Sequence, residues 1–525
     1  MKKKFPSKII IQVCIALFFV FCVILPILSM LSRITPEGLR QMVGSQQFLP
    51  AVKNSVTTAL TATVLTLALS LAAAWCAERT AIRGRAVFAM LFVLPMLIPS
   101  ISHAFGLVAL FGANGFLTNL LHLKGSIYGF WGIVTGSVMY SFPVAFLMIS
   151  GILHYEDGTP YQAAKVLGIP RFRQFTGITL PYMKKTLISV FFAVFTMIVT
   201  DYGVPLMVGG KKITLSVLMY QKAVAMIDYD AGSVIGTFLL IPAILAFLVD
   251  LFNPENGQGG YVSSPVVPEK RRLSGALSYL YCGVVSLLVL FPILAFGLMV
   301  FETKYPVNPS FTLEHIQKTL NRGAGQYLLH SLLYALLAGV FGTVLAFVCS
   351  YLTARAKGAL GKGIHLISMT SMSIPGIVLG LSYVIFFHSM PIYGTIFIVV
   401  LANSVHFFAS PYLMMYHTLE KVNPDLEAVG QSLGVKRFHI IKDVILPKVR
   451  FTMVEMFVYF FVNSMMTISA VSFLAPPAPK SVALMINQFE AQLLMESAAF
   501  VSLLILGINV LLKLAVGLLK RKTTQ

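Results

Sequence analysis

Long apolar stretches, separated by short polar segments, follow one another along the whole of this chain. Twelve of them reach about 20 residues or more, the length that a helix needs to cross a hydrocarbon core of roughly 30 Å. They cover residues 9–31, 54–76, 86–111, 128–152, 187–209, 232–252, 274–301, 328–353, 364–388, 392–416, 452–475 and 499–519. Strand-like alternation of apolar and polar residues is absent. The pattern predicts an all-α polytopic membrane protein with about twelve transmembrane helices.

Composition and charge agree with a membrane protein. Hydrophobic residues make up 57% of the chain and charged residues 11%, against about 25% charged residues in an ordinary soluble domain. The formal charge of +20 is scattered over short loops, so we expect membrane lipids with anionic headgroups as partners, and no nucleic acid. Most of the 39 Lys and Arg residues fall on one side of the membrane, which predicts that both termini are cytoplasmic.

The apolar pattern divides into two similar halves. We predict a first half over residues 1–252, a polar cytoplasmic linker over 253–273, and a second half over 274–525. Arg79 and Pro99 recur as Arg355 and Pro375, 276 residues later, and the two prolines are expected to kink the third and ninth helices. Each half has an even number of helices, so the two share one orientation, and we expect a pseudo-two-fold axis along the membrane normal. The first and seventh helices lack this similarity and are predicted to be peripheral.

Two cytoplasmic loops, over 153–186 and 417–451, share a second repeat. Gln-Ala-Ala-Lys-Val-Leu-Gly ends at Gly168, Ala-Val-Gly-Gln-Ser-Leu-Gly ends at Gly434, and Leu-Pro follows each glycine after the same interval. Alanine and leucine favour helix, glycine ends it, and the next proline redirects the chain. We therefore predict in each loop a compact knob of two short helices, with Pro181 in the first turn of the membrane helix that follows.

This loop resembles the coupling loop of type I ABC importer permeases, in which Glu-Ala-Ala, three residues and Gly precede Leu-Pro. The chain is most similar to fused permeases for iron(III), thiamine or 2-aminoethylphosphonate. The resemblance implies that each loop docks in a cleft of a separate ATPase subunit. The residues to which it assigns this coupling role are Gln162, Ala163, Ala164, Gly168, Arg171, Glu427, Ala428, Gly430, Leu433, Gly434 and Arg437.

Both loops depart from the family pattern at the glutamate, and the second loop also departs at an alanine. The position of the family's glutamate is occupied by Gln162 in the first loop and by Ala428 in the second. Gly430 stands where alanine is usual. Glu427, one residue earlier, substitutes for the missing glutamate only if the helix rotates.

The energy source is expected outside this chain. A phosphate-binding loop needs Gly, four residues, Gly-Lys and then Ser or Thr, and no segment fits this pattern. We therefore predict no cofactor in this chain, with ATP and Mg bound by two copies of a cytoplasmic ATP-binding subunit. An extracytoplasmic solute-binding protein is expected to dock on the outer loops, including 302–327.

Polar residues inside apolar spans are candidates for a solute pathway. Asp201 sits about two-thirds of the way across the fifth helix, and the run 201–205 is expected to interrupt that helix because it contains Gly and Pro. An equally open interpretation is that Asp201 lies near the outer water interface or pairs with a helix end. The predicted pathway residues are Thr200, Asp201, Tyr202, Asn463, Ser464 and Thr467. We expect no metal site, and we expect His103 and His406 to be packing or hydrogen-bonding residues.

Together these features predict the transmembrane part of an ATP-driven importer in the cytoplasmic (inner) membrane, and not an enzyme. Iron(III), thiamine, 2-aminoethylphosphonate and polyamines all stay open as solutes. An ion-coupled secondary transporter is the main alternative; it needs membrane-embedded carboxylates, of which Asp201 is the good candidate. A membrane-embedded enzyme is the weaker alternative, because we recognise no set of nucleophile, base and orienting residue.

Overall fold

The structure is a computed structural model that describes residues 7–252, 264–268, 272–355, 358–474 and 481–524. Most of the predicted linker 253–273 therefore lies outside the described residues. The remainder is almost entirely helical, apart from an antiparallel hairpin of β1 (Glu302–Lys304) and β2 (Asn308–Phe311) after the seventh span.

The first half contains fourteen α-helices, joined in places by short 3-10 or π segments. They are α1 (Ser7–Phe19), α2 (Leu25–Leu31), α3 (Pro36–Val43), α4 (Phe48–Arg79), α5 (Arg85–Val93), α6 (Ser100–Phe111), α7 (Phe116–Leu120), α8 (Phe130–His154), α9 (Thr159–Val166), α10 (Arg171–Gln174), α11 (Leu180–Thr200), α12 (Gly203–Val208), α13 (Leu215–Tyr220) and α14 (Tyr229–Phe252).

The second half repeats this order. Its helices are α15 (Arg272–Phe301), α16 (Glu314–Asn321), α17 (Ala324–Ala354), α18 (Ala359–Thr370), α19 (Gly376–Phe387), α20 (Ile396–His406), α21 (Ala409–Glu420), α22 (Asp425–Ser432), α23 (Arg437–Ile440), α24 (Leu446–Met466), α25 (Val471–Leu474), α26 (Val482–Ala491) and α27 (Met495–Thr524).

Among the described residues, nine helices are long and apolar enough to cross a membrane, and α20 with α21 makes a tenth span bent by 54°. The other two predicted spans are present as less regular helices. The ninth is divided into α18 and α19 at Pro375, and the eleventh is α24, which carries charged residues in its first turns. Pro99 divides α5 from α6 in the same way. These breaks confirm the predicted kinks, since proline cannot donate the hydrogen bond that continues a helix.

The fifth and eleventh membrane helices begin earlier than predicted. We expected starts near residues 187 and 452, but α10, a π turn and α11 form one continuous helix from Arg171 to Thr200. Before Pro181, the Leu180 N–H donates to the Phe175 carbonyl, five residues back. This wider turn accommodates the missing N–H of proline without ending the helix. A matching π turn over 441–445 precedes Pro447.

The internal repeat extends to single hydrogen bonds. The Ser55 hydroxyl on α4 accepts a hydrogen bond from the Leu215 N–H at 2.7 Å, at the start of α13. In the second half, the Ser331 hydroxyl on α17 accepts from the Val482 N–H at 2.7 Å, at the start of α26. The two halves therefore use the same polar contact to fix the start of a short helix.

The first helix of each half packs against the other half. α2 packs on α19, and the Tyr383 hydroxyl donates to the Cys22 carbonyl at 2.7 Å. Conversely, α15 packs on α5 and α6, and the Tyr281 hydroxyl donates to the Leu69 carbonyl at 2.7 Å. These helices lie at the periphery, as predicted, and each has one apolar face exposed. Because each of these helices packs against the opposite half, they also hold the two halves together.

Candidate functional site

The two repeated loops, over 153–186 and 417–451, fold into equivalent knobs. α9 ends in a turn at Gly168, and α22 ends in a turn at Gly434. The backbone of Gly168 has φ +66° and that of Gly434 has φ +73°, in the left-handed region that strains residues with a Cβ atom. The chain then turns into α10 or α23 and continues into a membrane helix. Each knob is thus joined directly to one end of a long membrane helix.

The tips of both knobs expose large apolar side chains. Leu167 and Leu433 occupy equivalent positions and are each 74% exposed, while Phe172 and Phe438 are 77% and 70% exposed. Exposed apolar residues that occur singly need no explanation, but a Leu and a Phe repeated on both knobs form matching patches. Such patches are typical of protein interaction surfaces.

A buried ion pair holds the second knob against the bundle. The Arg355 Nε, at the end of α17, donates to a Glu427 carboxylate oxygen at 2.7 Å. The Tyr351 hydroxyl donates to the other oxygen at 2.8 Å, and Arg355 also donates to the Val422 carbonyl at 2.8 Å. The Arg437 guanidinium lies 5.5 Å from the centre of the Tyr351 ring. The charges of Arg355 and Glu427 are therefore paired and hydrogen-bonded, as buried charges must be.

The first knob has an equivalent anchor made with a different acid. Arg79, the counterpart of Arg355, forms an almost fully buried ion pair with Glu156. The Tyr161 hydroxyl, at the position that corresponds to Glu427, donates to Glu156 at 2.6 Å. Burial raises the pKa of the Glu156 carboxyl above its ordinary value, while the hydrogen bond from Tyr161 and the charge of Arg79 oppose that rise. Burial also raises the pKa of Tyr161.

The remaining coupling residues divide between exposed and packed positions. Gln162, Ala163 and Ala428 are exposed, whereas Ala164 is buried against the bundle. A Cβ atom at Gly430 would lie 2.7 Å from Ile440 Cδ1, so the close approach of α23 explains why glycine replaces alanine. Glu427 is turned inward to Arg355, and its contact with an ATPase stays a prediction.

The described part of the linker lies on the first knob alone. The Gly158 N–H donates to the Ser264 carbonyl at 2.6 Å, and Asp157 pairs with Pro265 in an isolated β-bridge. The Gln162 Nε2 donates to the Ser264 hydroxyl at 3.0 Å. Gln162 stands at the family's glutamate position. The linker therefore contacts the residue at which this loop differs from the family pattern.

Replacing Gly158 by Thr is expected to displace the linker from the first knob. A Cβ atom at Gly158 would lie 3.0 Å from the Ser264 carbonyl oxygen and 3.1 Å from that of Pro265, while Thr preserves a residue suited to begin α9. Cleavage by trypsin at the basic residues 270–272 should then be several-fold faster, because proteolysis needs local opening. Gly177→Thr is the control, since a Cβ there meets nothing within 4 Å. Equal cleavage rates in Gly158→Thr and the parent protein would contradict this prediction.

A cavity of about 250 Å³ lies where the two halves meet within the membrane. α8, α11 and α14 of the first half line it together with the broken ninth helix, the end of α20 and the segment after α24. The polar side chains at its wall are Tyr140, Thr196, Thr200, Asp201, Ser373, His406 and Ser469. Pro375 and Gly376 also contribute, so a broken helix reaches the cavity, as expected for a solute pathway.

The predicted pathway residues fall into two groups. Thr200 and Asp201 line the cavity, at the point where α11 ends. The interruption after Thr200 is confirmed, so Asp201 stands at the end of the fifth helix rather than two-thirds along it. The other four predicted residues do not line this cavity. The hydroxyl groups of Tyr202 and Ser472 share a hydrogen bond. Asn463 and Ser464 lie on α24, and Thr467 directly follows it.

The sequence interpretation missed five polar lining residues, which are Tyr140, Thr196, Ser373, His406 and Ser469. We expected His406 to be a packing residue, yet it borders the cavity at the bend between α20 and α21. Tyr140 and His406 are separated by 266 residues, the same spacing that relates the two knobs. That spacing was an available signal, because it places the two side chains at equivalent positions in the halves.

Comparisons with known proteins agree with the repeat. The profile of the family described as "Binding-protein-dependent transport system inner membrane component" matches residues 67–254 and again 338–525. The putative ferric transport system permease protein FbpB 1 of Haemophilus influenzae is 24% identical over 489 residues, which cover 88% of this chain and 77% of that protein.

Two further relatives match shorter regions. The sulfate transport system permease protein CysT of Salmonella typhimurium is 26% identical over 44% of this chain and 86% of its own length. The thiamine transport system permease protein ThiP of Brucella abortus is 27% identical over 32% of each chain. Since the family's domain occurs twice in a single polypeptide, this chain belongs to the inner membrane components of binding-protein-dependent transport systems, as a fused permease of the ABC importer class.

Proposed function

We propose that this chain is the translocation subunit of an importer whose two cytoplasmic ATPase subunits each grip one knob. The observation that carries this proposal is the pair of exposed Leu and Phe patches, repeated at a spacing of 266 residues on helices that continue into the membrane. ATP and Mg are bound and used in those partner subunits. Both termini face the cytoplasm, and a loaded receptor docks on the opposite face.

The continuous helix from Arg171 to Thr200 supplies the mechanical link. Its 30 residues span about 45 Å, and its far end is Asp201 at the wall of the cavity. A rigid-body shift of the first knob therefore moves the cavity wall directly. The second knob is connected in the same way to the segment after α24, which contributes Ser469. Closure of the ATPases draws the knobs together and opens the cavity outward, and release of ADP and phosphate returns it inward.

The solute is small and hydrophilic, and iron(III) is favoured over thiamine, 2-aminoethylphosphonate and polyamines. The ferric permease relative aligns with 88% of this chain, whereas the thiamine permease relative aligns with 32%. The receptor delivers the solute and provides most of the selectivity.

A test needs the chain, its ATPase and its receptor together in proteoliposomes. Uptake is expected to require ATP inside the vesicles and to continue when ionophores collapse the proton and sodium gradients. Asp201, a carboxylate at a membrane cavity, favours an ion-coupled secondary transporter as the second candidate. That candidate predicts uptake without ATP and its loss when the gradients collapse, a result that would overturn the proposal.

A further inference from the structure

The cavity between the halves is lined by a carboxyl group that has no cationic neighbour in the cavity wall, among the described residues. Among the described residues that line it, Asp201 is the only carboxylate, and Lys and Arg are absent. The Asp201 Oδ2 accepts a hydrogen bond from the Val204 N–H at 2.9 Å, and the carboxylate also accepts from the Ser100 hydroxyl. These donors are neutral. They favour the ionised carboxylate without neutralising it, so an ionised Asp201 attracts a cation strongly in a medium of low dielectric constant.

The bond to Val204 also allows a purely structural interpretation, in which Asp201 caps α12. A helix cap needs an acceptor atom rather than a charge, so Asn serves there as well as Asp. The charge of Asp201 is therefore not explained by capping. Its position on the wall of a cavity shared by both halves is not explained by capping either.

Two further ligand groups face the same space from symmetric positions. Tyr140 lines the same cavity as Asp201, and its ring lies 6.1 Å from that of His103. His406 contributes an imidazole whose buried Nδ1 has no hydrogen-bond partner among the described residues. Ser469 and His406 both lie against Gly376, so its missing side chain leaves them room. Carboxylate, phenol, hydroxyl and imidazole groups are ligands for metal cations.

The size and donor count of the cavity favour passage over tight binding. About 250 Å³ holds roughly eight waters at about 30 Å³ each, enough for one metal ion with its inner hydration shell. Among the described residues, no three His, Cys, Asp or Glu side chains come together as a chelating group. Transport requires a site that attracts an ion and still lets it leave, which a single carboxylate with weaker neighbours provides.

We propose that Asp201, with Tyr140 and His406, forms a transit site for a partly hydrated metal cation at the junction of the two halves. This inference rests on the proposed function for its direction of transport. The carboxylate attracts cations into the cavity and repels anions, so the pathway discriminates against an anion such as sulfate even if a receptor delivered it.

Binding to the purified full-length chain, in an uncharged detergent and without ATPase, tests the site directly. The probe is Tb³⁺, a hard trivalent ion whose luminescence is sensitised by a nearby tyrosine. The parent protein should show saturable sensitised emission, and Asp201→Asn should weaken Tb³⁺ binding at least tenfold while keeping the cap of α12. Tyr140→Phe, which leaves the cap intact, should remove most of the sensitised emission. Glu314→Gln, at an exposed outer carboxylate, is the matched control.

Each outcome is decisive. Unchanged Tb³⁺ emission in Asp201→Asn and Tyr140→Phe overturns the transit site. If Asp201→Asn loses its fold by thermal unfolding, Tyr140→Phe decides alone. Because the measurement needs no ATPase, the transit site can fail while ATP-dependent uptake persists, and it can stand if the chain never couples to an ATPase.

Discussion

Replacing Arg355 by Met is expected to free the second knob from the bundle. Loss of the guanidinium removes the nearest charge partner of the buried Glu427 and leaves it the Arg437 guanidinium, at 3.8 Å, and the Tyr351 hydroxyl, so the expected cost is at most about 3–5 kcal/mol. Glu427→Leu alone removes the carboxylate that neutralises Arg355 and should also be harmful. The double variant removes both charges, so we expect it to be more stable than either single variant. Thermal unfolding of the four proteins forms a double-mutant cycle that measures this coupling.

The same cycle separates two roles for Glu427. If Glu427 anchors the knob internally, both single variants lose association with the ATPase and the double variant recovers part of it. If Glu427 instead contacts the ATPase, Glu427→Leu and the double variant lose association alike. The exposed pair of Lys318 and Glu314 on α16 is the control, and its removal should change neither measurement.

Replacing Leu433 by Asp is expected to abolish docking of one ATPase subunit without affecting the fold. Leu433 is 74% exposed on the second knob, so the free protein tolerates a charge there, but a charge buried at an apolar interface is strongly unfavourable. A loss of at least about 2 kcal/mol corresponds to an affinity about 30-fold weaker. Leu167→Asp should have the same effect on the first knob.

Affinity between the reconstituted permease and its ATPase, measured at fixed lipid composition, provides the test. Leu493→Asp is the matched control, because Leu493 is 79% exposed and belongs to an outer segment after α26. Its φ of +59° lies in a region that Asp tolerates better than most residues. Equal ATPase affinity in Leu433→Asp, Leu167→Asp and Leu493→Asp would refute the assignment of the knobs as docking surfaces.

Features governed by local chemistry were predicted well. Apolar stretches of membrane-spanning length gave the spans, and prolines gave the breaks at Pro99 and Pro375. The interruption after Thr200 followed from Gly and Pro in the next five residues. Pro181 lies in the first turn of α11, as predicted, but the membrane helix starts earlier than expected, because a π turn joins α10 to α11 without a break. Proline restricts the backbone, but neighbouring turns decide how the restriction is met.

Contacts between distant segments could not be predicted from the sequence. Arg79 and Arg355 were recognised as equivalent, yet their partners Glu156 and Glu427 occupy different positions in the two loops. Any acid that reaches the same buried point can neutralise the arginine, so the repeat preserves the charge pairing without preserving the residue. The contact of Gln162 with Ser264 likewise depends on where the linker passes.

The sequence by itself determined the class of this protein, its twofold internal repeat and the place of its two knobs, because hydrophobicity, helix propensity and helix-breaking residues act over short distances. Only the tertiary structure decided which side chains share the cavity with Asp201 and which acids anchor the knobs. Those groupings join residues that are 60 to more than 260 positions apart, and packing of the helices brings them together.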